Sequence, residues 1–106
     1  QFGFFFNLSG DAGCSVDSSM DNLKNLVNVT GHEYSEMVTD PRGISWYDST
    51  GYENADKCAW TFSGNPVALG GSTWQIQGNW SNNAYNADTG YTDARKGKVR
   101  GCIDTK

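Results

Sequence analysis

Long apolar runs are missing from this chain of 106 residues. The longest, "FGFFF" at 2–6, is far short of the ~20 residues a membrane-spanning helix needs. Basic residues are scarce too: eight against twelve acidic ones leave a net charge of −4 with no basic stripe. Neither a membrane nor nucleic acid is therefore an expected partner. Histidine occurs once, as His32, which rules out a site built from several imidazoles. No internal repeat, low-complexity tract or linker is visible. The chain reads as one domain over 1–106, and its 37% hydrophobic and 19% charged residues argue against disorder.

What is present points outside the cell. Gly, Ser, Thr, Asn, Trp and Tyr abound, and Asn7-Leu8-Ser9, Asn28-Val29-Thr30 and Asn79-Trp80-Ser81 are sequons. Three cysteines leave one over after a single disulfide. Cys58–Cys102 is the favoured pair, tying the end of the chain to the segment after the main helix; the alternative is three reduced, buried thiols. Cys14 is then left free, or paired outside this chain. "FGFFFNL" at 2–8 reads as a buried strand with nothing before it. The expectation is a secreted protein, the C-terminal part of a longer precursor whose upstream segment once lay beside this strand.

A turn is predicted at 9–13, then one long helix from Asp17 to about Thr39. Asp17 or Ser18 is its expected cap, with Asp21 in the first turn. Met20, Leu23, Val27, Tyr34 and Met37/Val38 recur at helical spacing and form its expected buried stripe. Gly31 interrupts it at a cost of about 1 kcal/mol against alanine, which calls for a close packing neighbour. Pro41 ends it. Beyond lie a turn at Ser49-Thr50-Gly51, a strand around Cys58–Phe62, a loop "GNPVALGG", a strand in "STWQIQGNW", and a tail that is mostly turn and coil. The fold class is α+β: one long helix packed on a small, irregular, disulfide-stapled β framework.

"HEYSEM" holds the candidate chemistry. Residues four apart share a helix face, so His32 and Glu36 can grip one ion, and Glu33, about 100° round the axis, can take a proton from water beside it. A third ligand has to come from Asp40, Asp48, Glu53 or Asp56. The plain alternative is a solvated helix face with carboxylates clustered in turns. Asp56 has two such readings: orienting the His32 ring, or pairing with Lys57 or Arg42 at the surface. Eight aromatics (Trp46, Tyr47, Tyr52, Trp60, Trp74, Trp80, Tyr85 and Tyr91) are expected mainly as core, with Trp80 and Tyr85 the best candidates to meet a substrate.

"HEYSEMVTDPRGISWYDSTGYENADKC" resembles the thermolysin-type zincin pattern. His32 and Glu33 match the first ligand and the general base, Glu36 stands where a second histidine belongs, and Val38-Thr39-Asp40, Gly51 and Asn54 match in turn. Ala55 replaces the ligand glutamate, and Glu53 comes two positions early. The closer likeness is to secreted proteins carrying His-Glu-x-x-Glu, Thr-Asp-Pro and Glu-Asn-x-Asp-Lys-Cys, with the plant Exordium (phosphate-induced) proteins as distant members. It spans roughly 1–106 and is specific over 31–58. The resemblance implies a zincin-like fold, secretion, a metal held by His32, Glu36 and one of Glu53 or Asp56, and Glu33 as general base. Zinc is the expected ion, with calcium, manganese and iron competing at so oxygen-rich a site. Tyr85, Tyr91 or Arg95 would have to stabilise an oxyanion. The resemblance implies no particular activity; the first expectation is metal-dependent peptide hydrolysis, and the alternative is a non-catalytic module that binds cell-wall carbohydrate around a structural ion.

Overall fold

The computed structural model describes residues 2–15, 21–62, 66–92 and 99–104. Its longest element is α1, Asn22–Thr39. Asp21 is extended and its carboxylate accepts the Lys24 N–H at 2.9 Å, so it caps the helix rather than sitting in its first turn. Asp17, Ser18 and Met20 lie outside the described residues. At the other end the Asp40 N–H donates to Glu36 O at 2.7 Å, and Pro41 follows. Gly31 has no neighbour within 4 Å of where a Cβ would stand, so the expected close contact is absent.

The helix is turned opposite to its apolar pattern. Leu23, Tyr34 and Val38 of the expected stripe are 59%, 61% and 60% exposed and Val27 and Met37 half-buried, while Asn25 and Asn28 are buried and His32, Ser35 and Glu36 half-buried. The reason is what α1 packs against: irregular backbone whose polar groups need partners once buried. Asn28 supplies them, donating to Gln75 O and accepting the Gln77 N–H at 2.9 Å. Ser35 Oγ donates to Asn54 Oδ1 at 3.2 Å, and Glu36 Oε1 accepts the Asp56 N–H at 3.2 Å.

The β framework is antiparallel and in two pieces. β1, Val67–Leu69, pairs with β2, Ser72–Trp74. β5, Arg100–Ile103, lies between β3, Asn79–Trp80, and β4, Tyr91–Thr92. Of the loop expected in "GNPVALGG", Gly64 and Asn65 lie outside the described residues, while 67–71 form a strand and turn of a hairpin, because Gly70 and Gly71 both take positive φ and give the two-residue turn that antiparallel strands favour. The strand expected through "STWQIQGNW" breaks after Trp74, since the 75 and 77 backbone groups are committed to Asn28. Cys58–Phe62 is no strand either. A 3-10 turn at Asp56–Cys58 starts it, and Trp60 takes a positive φ of 61°. The tail holds more than turn and coil: besides β4 and β5 it contains α2, Asn82–Asn86, capped by Ser81 Oγ on the Ala84 N–H and packed over β5.

Cys58 and Cys102 form the expected disulfide across 44 residues and are fully buried, while Cys14 is a half-buried free thiol. Residues 2–8 form no strand, and the reading of a buried one is overturned: Phe2 and Phe4 are 94% and 81% exposed, and only Leu8 is buried. The turn that follows is present, with Asp11 N–H on Leu8 O and Asp11 Oδ1 on the Gly13 N–H. Among the described residues no helix is long and apolar enough to cross a membrane.

The turn at 49–51 is held by one side chain. Asp48 Oδ1 accepts the Thr50 hydroxyl at 2.6 Å, the Thr50 N–H at 2.8 Å and the Tyr52 N–H at 3.2 Å, and Oδ2 meets Lys57 Nζ at 3.1 Å. The Thr50 hydroxyl bond leads in holding the carboxyl well below its ordinary value of 3.8, with the other donors adding and burial opposing. A depressed folded pKa stabilises above the unfolded value and is lost as pH falls through the folded one. Acid titration followed by circular dichroism should therefore show a stability loss below about pH 4 that is shallower in Asp48→Asn; identical acid limbs would show that this turn contributes nothing.

Candidate metal centre

Helical spacing and one turn build the site. His32 and Glu36 are one helical turn apart on the inward face of α1, and the 3-10 turn brings Asp56 up to them. His32 Nε2 stands 3.0 Å from Glu36 Oε1 and 3.5 Å from Asp56 Oδ1. One ligand atom from each of His32, Glu36 and Asp56 lies within 4.8 Å of the others, so the three could hold a metal ion. The donor set suits a divalent cation: one imidazole nitrogen and two carboxylate oxygens, all half-buried.

The carboxylates are tied from behind. Asp56 Oδ2 accepts the Glu53 N–H at 3.2 Å, which leaves Oδ1 facing His32. Burial pushes the His32 pKa down, the hydrogen bond and charge of Glu36 lead the causes that push it up, with Gln77 and the charge of Glu33 behind them, and the net direction is up. Gln77 adds to that rise only if its oxygen faces the ring; an NH2 there works against it. The Glu53 carboxyl is also raised, by burial first and then by the charges of Glu36, Asp40, Asp56 and Glu33. So many acids around one histidine repel one another, and a bound cation relieves that repulsion.

The expected site residues divide. His32, Glu36 and Asp56 converge, with Asp56 Oδ1 facing His32 Nε2. Glu53 is beside the group and outside the triad. Glu33 is exposed, close enough for its charge to act on both His32 and Glu53, and lines an apolar recess of about 290 Å³ with Phe4, Phe5, Phe6, Leu8 and Val29. Asp40 is buried and serves the backbone instead. Its Oδ1 accepts the Ile44 and Ser45 N–H groups at 2.7 and 2.8 Å, closing the loop after α1. The Trp80 and Tyr85 rings pack against each other at a tilt of 38° with centroids 5.4 Å apart, and Lys57 Nζ sits 4.2 Å over the Trp80 ring. Tyr91 lines a separate recess with Ser81, Cys102 and Asp104, its phenol pushed up by burial. Arg95 lies outside the described residues.

Gln77 was not legible as a site residue. It is 3% exposed, and its Nε2 lies 3.1 Å from His32 Nδ1 and 3.2 Å from Ala55 O. In the sequence it is one more polar position in an alternating segment, 45 residues from His32. Nor are the aromatics chiefly core: Tyr47, Trp60 and Tyr85 are exposed, and the Trp60 ring lies 6.4 Å from that of His32. Compared with protein-family models, curated proteins and solved structures, the chain finds no match.

Proposed function

We propose that this chain is a secreted, zincin-like metallohydrolase acting on peptide bonds, with zinc held by His32, Glu36 and Asp56. The convergence of those three side chains from α1 and the Asp56–Cys58 turn carries the reading. A zinc ion held by those three residues would supply Lewis acidity to a carbonyl and to water. The rest falls to the chain itself. Glu33, next to His32 on α1, takes the proton from the attacking water and returns it to the leaving amine. Phe4, Phe5 and Phe6 offer an apolar side chain of the peptide a place beside Glu33. Glu53, at the edge of the triad, keeps the local charge negative and favours a divalent ion.

Substituting Glu33→Gln tests this. Peptide turnover should fall at least about a hundredfold, the general-base contribution, while zinc content stays near one equivalent. Equal turnover in the two proteins would remove Glu33 from the reaction. A second reading has its own observation: Trp46, Tyr47 and Trp80 line a recess of about 310 Å³ with Asp48, Lys57 and Asn82. Aromatic rings beside amide and carboxylate groups suit a sugar, so the chain could instead be a cell-wall carbohydrate-binding module with a structural ion. In that case Glu33→Gln leaves glycan binding and metal content alike unchanged.

A further inference from the structure

We infer that Gln77 is the positioning residue that selects the His32 tautomer, and that metal loading requires its buried amide to rotate. The second half rests on the metal reading above; the first does not.

The amide end nearest Ala55 O must be its NH2, because a backbone carbonyl only accepts. That same nitrogen lies 3.1 Å from His32 Nδ1, so its second hydrogen points at the ring and Nδ1 accepts it. In neutral His32 the proton is then on Nε2, where Glu36 Oε1 at 3.0 Å and Asp56 Oδ1 at 3.5 Å face it. All of these contacts agree on one tautomer. A divalent ion cannot use that form, since Nε2 must present its lone pair.

Loading therefore removes the proton from Nε2 and places one on Nδ1, leaving the ring neutral and its proton count unchanged. Nδ1–H then needs an acceptor. Gln77 can provide one by turning Oε1 to the ring, and that buried oxygen has no hydrogen-bond partner among the described residues. Rotation satisfies that oxygen but withdraws the NH2 from Ala55 O. Asn28 holds the Gln77 N–H at 2.9 Å from one helical turn before His32, so the backbone stays in place while the amide turns. The opposed hydrogen bonds make Gln77 a brake on metal affinity.

His32 is the only histidine, so its ring is the sole source of imidazole signals in a ¹⁵N-histidine-labelled protein. Long-range ¹H–¹⁵N spectra of the metal-free wild type, above the pKa of His32, should show the Nε2–H tautomer. Gln77→Glu, whose carboxylate can accept from Nδ1–H without a rotation, should bind zinc at least about tenfold more tightly than the wild type in titration calorimetry. Zinc added to the wild type should convert Nε2–H into Nδ1–H. An Nδ1–H signal in the metal-free wild type overturns the inference, and that spectrum needs no variant to fold. A Gln77→Glu protein that binds zinc no more tightly than the wild type does also overturns it. Tautomers that behave as stated while zinc binds neither protein would leave Gln77 in its role and sink the metal reading alone.

Discussion

His32→Ala is expected to empty the metal centre. The wild type should carry about one equivalent of zinc by elemental mass spectrometry after metal-free dialysis, and the variant none. His32 is the sole nitrogen donor in a three-residue site, so its loss should exceed the 10–100-fold in affinity that removing an outer-shell partner costs, about a hundredfold or more. Glu36→Gln and Asp56→Asn should each weaken binding by less, because each leaves the imidazole and one carboxylate in place. Glu53→Gln should change it least, as Glu53 lies outside the triad. Metal that survives His32→Ala at full stoichiometry would show that the acidic side chains bind by themselves, in the manner of a calcium site. A wild type that never holds metal would reduce the cluster to a histidine paired with two carboxylates.

Opening the Cys58–Cys102 disulfide is expected to have the largest effect on stability. In the loop-entropy picture, closing 44 residues contributes about 4 kcal/mol. That corresponds to a fall of roughly 15 °C or more in Tm for a chain of this size. The native side adds to the loss. Both cysteines are completely buried in an interior whose other buried apolar residues among those described are Leu8, Ala55, Ala59 and Ala84. So little apolar burial leaves the cross-link as the main fastening between the Asp56–Cys58 turn and β5. Asp56 rides on that turn, so Cys58→Ser/Cys102→Ser should loosen metal binding along with the fold. Scanning calorimetry of the oxidised protein and the double variant, with zinc affinity measured on each, checks both effects. A Tm shift of only a few degrees would mean that α1 and its amide contacts hold the turn unaided.

The partition between legible and hidden follows from what local sequence encodes. His32 and Glu36 were readable because helical spacing puts residues four apart on one face whatever the helix packs against. The helix stop at Asp40-Pro41 was readable because proline acts on its immediate neighbour. Asp56 could be named only as one of several carboxylates, since the 3-10 turn that lifts it to His32 has no sequence period. Gln77 had no signal at all: its part depends on Ala55 O and His32 Nδ1 arriving at the same nitrogen. The hairpin at 67–74 was missed although Gly70-Gly71 is a turn signal, because the strands on either side are only three residues long.

The amino-acid sequence by itself determined the long helix, the α+β class, and the sharing of one helix face by His32 and Glu36; it favoured the Cys58–Cys102 pair over three reduced thiols, and the fold settled it. Each of the first three follows from spacing along the chain or from the chemistry of a residue type. Tertiary structure alone decided which way that helix faces. Periodicity places Leu23, Tyr34 and Val38 on one side of α1 and Asn25, Asn28, His32 and Glu36 on the other, but it does not say which side turns inward. The rest of the chain offers α1 buried backbone groups in need of hydrogen bonds, at Gln75, Gln77 and Asp56. Leaving such groups unpaired costs about 1–3 kcal/mol each, so the polar face turns in and carries His32 to Asp56.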